Sequence, residues 1–191
     1  MSPIPLGILA AAGSKAIVPA MELISTTVLG GATASVTFSG PWSAYTHLQL
    51  RVTVRKASAA TTGGVDYSMR LNGSAVANQS SHSLSGDGAS VTSWAQSGYN
   101  HLLFPLMAPG ANATAGIFGA GIIDIPDINS TTKAKMIRFF GGHNSNGNRR
   151  VSLISGQAES VTAALSSITF RDEVGDSFAA GSRFSLYGIK G

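Results

Sequence analysis

The chain has 191 residues, no cysteine, and only 12% charged residues against a usual share of about 25%. The length suits a single domain that buries its own core, and the missing thiols exclude disulfides, thiolate catalysis and cysteine-based zinc sites. The formal charge of +4 is scattered over Arg51, Arg55, Lys133, Lys135, Arg138, Arg149 and Arg150, with no aromatics interleaved, so nucleic acid is not an expected partner.

Residues 1–20 are rich in Pro, Ala, Gly and large aliphatics, with a period of neither 2 nor 3.6. Pro3, Pro5 and Pro19 remove backbone donors and keep the segment extended. It lacks the basic start of a signal peptide, and its one charge, Lys15, follows the apolar stretch. No run reaches the ~20 apolar residues that cross a bilayer as a helix, so no membrane partner is expected. Ile4, Leu6, Ile8 and Leu9 would be wasted on a solvated tail. Such a segment either tucks against its own domain or docks on a neighbour; residues 1–20 read as an extended arm that binds a partner through these four side chains, and 21–191 as one β-sandwich domain.

Strands begin at Met21–Leu29, and Gly30–Gly31 leads to a second over Ala34–Ser39. Gly40–Pro41 turns the chain into Thr46–Lys56. There Leu48, Leu50, Val52 and Val54 share one parity and His47, Gln49, Arg51, Thr53 and Arg55 the other. Successive strand side chains point to opposite faces, so one face lies on a core and the other in water. Residues 57–64 form a small-residue loop, and Val65–Leu71 alternates again. Asn72–Gly73 has the chemistry of a two-residue hairpin turn and predicts a return strand over Asn78–Leu84.

Ser85–Gly98 reads as a long Gly- and Ser-rich loop carrying Trp94, with Tyr99 just beyond it. Thr114–Ile125 reads as a buried strand whose glycines suggest a bulge or close packing. Ser130–Met136 is the best stretch for a short helix. Lys133–Phe140, Arg150–Ser155, Leu165–Arg171 and Arg183–Ile189 complete the strands, with GGHNSNGNRR (141–150) as a turn-rich loop between two of them. The pattern predicts an all-β protein: a single antiparallel sandwich, jelly-roll-like, with no internal repeat.

Residues with possible chemistry are few. His82 lies near Ser81, Ser83 and Asp87, but no strand–Gly-x-Ser-x-Gly–helix elbow activates a serine. Asp124, Asp127 and Asn129 lack the sixth-position glycine and twelfth-position acid of a calcium loop, and beside Pro126 they read as a turn. Asp172, Glu173 and Asp176 could suggest glycosidase carboxylates, but next to Gly175 they read as solvated charges. No catalytic residue, metal site or cofactor is expected, and the chain reads as a non-enzyme. Trp94, Tyr99, Arg149 and Arg150 remain as loop residues able to contact a partner.

The C-terminal segment Ala179–Gly191, AAGSRFSLYGIKG, resembles the closing strand of tailed-bacteriophage virion structural proteins, which reads F-x-L-Y-G-I. The opening MSPIPLGILA, the first strand MELISTT, and the phrases YTHLQLRVTVR and NQSSHSLSGDG agree with it. The resemblance spreads over most of the chain in style and contains no motif tied to chemistry. It implies a β domain of the virion, assembled in the host cytoplasm and commonly trimeric. The expected role is capsid decoration (cement), with the major capsid protein as partner. The alternative is a tail, baseplate or head fibre module that meets host-surface glycans.

Overall fold

The alternation around Leu48–Val54 becomes the centre of the structure. The computed structural model describes residues 20–59, 67–75, 78–104, 108–173 and 175–191, which hold twelve strands and no helix. In chain order these are β1 (Met21–Val28), β2 (Ser35–Ser39), β3 (His47–Val54), β4 (Tyr67–Leu71), β5 (Gln79–Gly86) and β6 (Val91–Tyr99). They continue with β7 (Leu102–Phe104), β8 (Gly119–Ile125), β9 (Lys135–Ser145), β10 (Asn148–Ala158), β11 (Ser167–Asp172) and β12 (Arg183–Ile189).

All pairings among them are antiparallel. One sheet has eight strands in the order β1-β12-β3-β8-β9-β10-β5-β6, and the other four, β2-β11-β4-β7. The sheets pack face to face as a β-sandwich. Leu48, Leu50, Val52 and Val54 are buried with Ile123, Ile125, Ile137, Phe139, Ile154, Phe184 and Leu186 from the larger sheet. Val36, Phe38, Tyr67, Met69, Leu71, Ile168 and Phe170 meet them from the smaller one. The layers touch directly where Phe170 of β11 packs on Phe184 of β12 with ring centroids 5.6 Å apart.

Several sequence expectations need correction. Asn72 and Gly73 do take positive φ (53° and 65°), and Ser74 N–H closes the turn on the Leu71 carbonyl. The strands on either side nevertheless part company, because β4 belongs to the small sheet and β5 to the large one. The expected loop Ser85–Gly98 is mostly strand. Asp87 accepts hydrogen bonds from the Ala89 and Ser90 backbones, and this tight turn hands the chain to β6, which pairs with β5 along its length. β6 hides from pattern reading because it is an edge strand, wet on both faces over most of its length.

GGHNSNGNRR is likewise not a loop. Gly141–Ser145 continues β9, Asn148 opens β10, and Asn146–Gly147 alone turns the chain with φ of 48° and 80°. The expected strand from Thr114 starts only at Gly119. The carbonyls of Ala111, Ala113, Thr114 and Ile117 instead converge on the Arg55 guanidinium. Ser130–Met136 is not helical. Ser130 Oγ accepts from the Thr132 and Lys133 N–H groups, a local bond that competes with helix, and β9 begins at Lys135. The arm, with Ile4, Leu6, Ile8 and Leu9, lies outside the described residues.

Candidate functional site: the outer face of the large sheet

The sequence contains three apolar doublets on neighbouring strands: Ile122–Ile123, Phe139–Phe140 and Leu153–Ile154. Alternation sends one member of each to either face. Ile123, Phe139 and Ile154 enter the core, so Ile122, Phe140 and Leu153 must stand on the outer surface. Register then aligns them. Ile122 pairs with Phe140, Phe140 with Leu153, and Leu153 with Leu84, giving one row across β8, β9, β10 and β5. Their exposures are 39, 54, 53 and 50%, so the row is open to solvent. At the usual strand spacing it runs for about 14 Å.

A polar row lies directly beside it. Asp124 pairs in register with Arg138, Arg138 with Ser155, and Ser155 with His82. Gln49 Nε2 donates to Asp124 at 2.9 Å, and Arg51 Nε donates to Gln49 Oε1 at 3.1 Å. Together the rows line an open groove of about 720 Å³. On its other side stand Val151 and Val91, also exposed. Scattered apolar side chains on a surface are ordinary, whereas a contiguous registered row beside hydrogen-bonding groups has the composition that a contact surface needs. The alternating reading of each strand treats outward positions as polar. The apolar doublets were the signal that could have revealed the row.

The four expected contact residues are not gathered there. Trp94 and Tyr99 sit on β6, not on a loop, with Trp94 opposite Ser83 and Tyr99 opposite Gln79 at the strand's far end. Arg149 and Arg150 flank the β9–β10 turn instead, opposite Asn144 and His143. Arg149 shares a shallow hollow with Asp87 and Gly88, at the other end of β6 from Tyr99.

The acid cluster is also not where solvation would place it. Asp172 ends β11 at 2% exposure and Lys56 follows β3 at 4%, with Nζ 3.3 Å from Asp172 Oδ2 and 3.0 Å from Asp176 Oδ2. Asp176 also accepts from the Ser58 hydroxyl and the Ser177 N–H. Burial alone would push its carboxyl up, but these hydrogen bonds and the Lys56 charge outweigh it and hold it below the usual range. Glu173 behaves alike: burial opposes ionisation, and Ser68, His101, Arg70 and Arg171 together win and lower it. Tyr67 closes the cluster, its phenol raised by burial and by the Asp172 and Asp176 carboxylates. Sequence reading missed this cluster because Lys56, Arg70 and His101 come from far away along the chain, and only Arg171 is local.

Among the described residues no group of three or more His, Asp or Glu side chains is arranged to hold a metal ion, and no helix is long and apolar enough to cross a membrane. Compared with known proteins, the chain matches no protein-family model and no curated protein.

Proposed function

We propose that the chain is a structural protein of a tailed-phage virion, of the capsid decoration (cement) type, which binds and stabilises the assembled head lattice. The observation that carries this reading is the registered apolar row Ile122–Phe140–Leu153–Leu84, an exposed surface across four paired strands. In this reading the row packs against further copies of the same chain in a homotrimer. The arm, through Ile4, Leu6, Ile8 and Leu9, attaches to the major capsid protein. The phrases shared in style with phage virion proteins, and the low charge of the surface, support the same assignment.

The mechanism is mass action. A protein that binds only the assembled lattice stabilises it by its binding free energy, and many copies sum. Each Å² of apolar surface removed from water contributes about 25 cal/mol. A fibre module that contacts host glycans is the second reading, favoured by Trp94 and the half-exposed Tyr99 on the free edge strand β6. Quantitative mass spectrometry of purified particles separates the two. Copies in numbers comparable to the major capsid protein support cement, whereas a few copies per particle move the chain to a tail or vertex fibre. Its absence from particles overturns both. Deleting residues 1–20 should abolish particle binding; undiminished binding would remove the arm from the mechanism.

A further inference from the structure

Among the described residues two lysines are buried, and their surroundings differ in kind. Lys135 Nζ is held by the carbonyl oxygens of Ser130, Lys133 and Thr162, an arrangement that satisfies an ammonium and offers it nothing to react with. Lys56 Nζ lies between two carboxylates, Asp172 at 3.3 Å and Asp176 at 3.0 Å. The Tyr67 ring lies beneath it, 5.9 Å from Nζ, and stacks in turn on Phe178 with centroids 4.4 Å apart. An amine nucleophile, a carboxyl electrophile and a second carboxylate thus share a largely buried site beside the Tyr67 ring.

We propose that Lys56 and Asp172 condense without any other reactant into an intramolecular isopeptide bond, with Asp176 carrying the proton. The bond would join the end of β3 in the large sheet to the end of β11 in the small one. The inference is independent of the virion reading and stands or falls separately.

The reaction balances within the cluster. Passing one proton from the Lys56 ammonium to the Asp172 carboxylate leaves a neutral amine and a neutral acid, the forms that a water-poor site tolerates best. Nζ then attacks Asp172 Cγ. Asp176 takes the second proton from Nζ and delivers it to the departing hydroxyl, so that one C–N bond forms, one C–O bond breaks and one water leaves. Nothing is oxidised or reduced. Holding the partners in contact replaces a bimolecular encounter by an intramolecular one, where effective molarities of about 10⁵–10⁸ M are attainable.

The two acids divide their roles by environment. Asp172 is the more deeply buried, its side chain at 0% exposure against 15% for Asp176. Asp176 is kept ionised by Ser58, the Ser177 backbone and Lys56, which suits a base and disfavours it as electrophile.

The test is the intact mass of the purified full chain, followed by peptide fragmentation. The expected mass is one water below that of the sequence, with a branched peptide joining Lys56 to Asp172. Lys56→Arg keeps a cation in place and should return the full mass. Asp172→Asn should lose ammonia instead of water and converge on the same product. Asp176→Asn should slow cross-linking by at least tenfold. Full mass for the unaltered chain after prolonged incubation between pH 5 and 8 would overturn the proposal. So would a lost water that maps to Asp87–Gly88 as a succinimide. A Lys56–Asp176 branch would overturn the assignment of roles.

Discussion

Tyr67 has no exposed surface, and its ring stacks on Phe178, yet its hydroxyl has no hydrogen-bond partner among the described residues. A buried hydroxyl without a partner costs about 1–3 kcal/mol, whereas the ring it belongs to stabilises the core through its packing. Tyr67→Phe should therefore leave stability unchanged or raise it, while Tyr67→Ala should cost about 3–5 kcal/mol in urea unfolding. A marked loss in the phenylalanine variant would show that the hydroxyl does have a structural role. The neighbouring acids contribute to the acid sensitivity of the fold. Glu173 and Asp176 are both lowered on folding, so their stabilising contribution is complete above the unfolded carboxyl range and is lost as pH falls through the folded values. The melting temperature should fall steadily as pH drops from about 5 toward 3. Glu173→Gln, which leaves Arg70 without its carboxylate, should melt lower at pH 7 and flatten that acid slope. An unchanged slope would place the acid sensitivity elsewhere.

Phe139 shows how an element's glycines are chosen by packing. A Cβ on Gly141 would lie 2.4 Å from the Phe139 ring and 2.6 Å from the Ala120 carbonyl oxygen, and one on Gly121 would lie 2.3 Å from the same ring. The ring fills the space that two missing side chains leave on β8 and β9. Gly141→Ala should cost about 1–3 kcal/mol, because backbone as well as ring must move; thermal melting checks it. A neutral result would mean that the β8–β9 pair yields more easily than its register suggests. The same glycines explain why β9 and β10 were only half legible in the sequence. Gly141, Gly142 and the asparagines look like loop chemistry, yet only Asn146–Gly147 makes the turn. β3 and β12 were legible because burial of one face imposes alternation. β6 was not, since an edge strand wet on both faces carries little periodic signal. The ionic cluster was illegible for a different reason. Lys56 meets Asp172 across the two sheets, and Arg70 meets Glu173 through the pairing of β4 with β11, and no local spacing records either.

At the scale of the molecule the sandwich is lopsided, with eight strands facing four. The larger sheet must present a broad outer surface, and Ile122, Phe140, Leu153 and Leu84 make part of that surface apolar. These side chains point away from the core, which Ile123, Phe139 and Ile154 fill from the other face of β8, β9 and β10. In the proposed role they would contact another molecule, and the adjoining Asp124 and Arg138 would supply opposite charges that orient such a contact without dominating its energy. Because the row lies on rigid, paired strands, altering it should change association and leave the fold intact. Phe140→Asp combined with Leu153→Asp places two like charges opposite each other, which costs about 0.2–1 kcal/mol within the sheet but is far more damaging in a desolvated interface. The unaltered chain should sediment as an oligomer at micromolar concentration, and the double variant as a monomer with the same far- and near-ultraviolet circular dichroism. Equal sedimentation of the two as oligomers would place the subunit contact elsewhere on the sandwich. A monomeric parent would remove self-association from the role of the row.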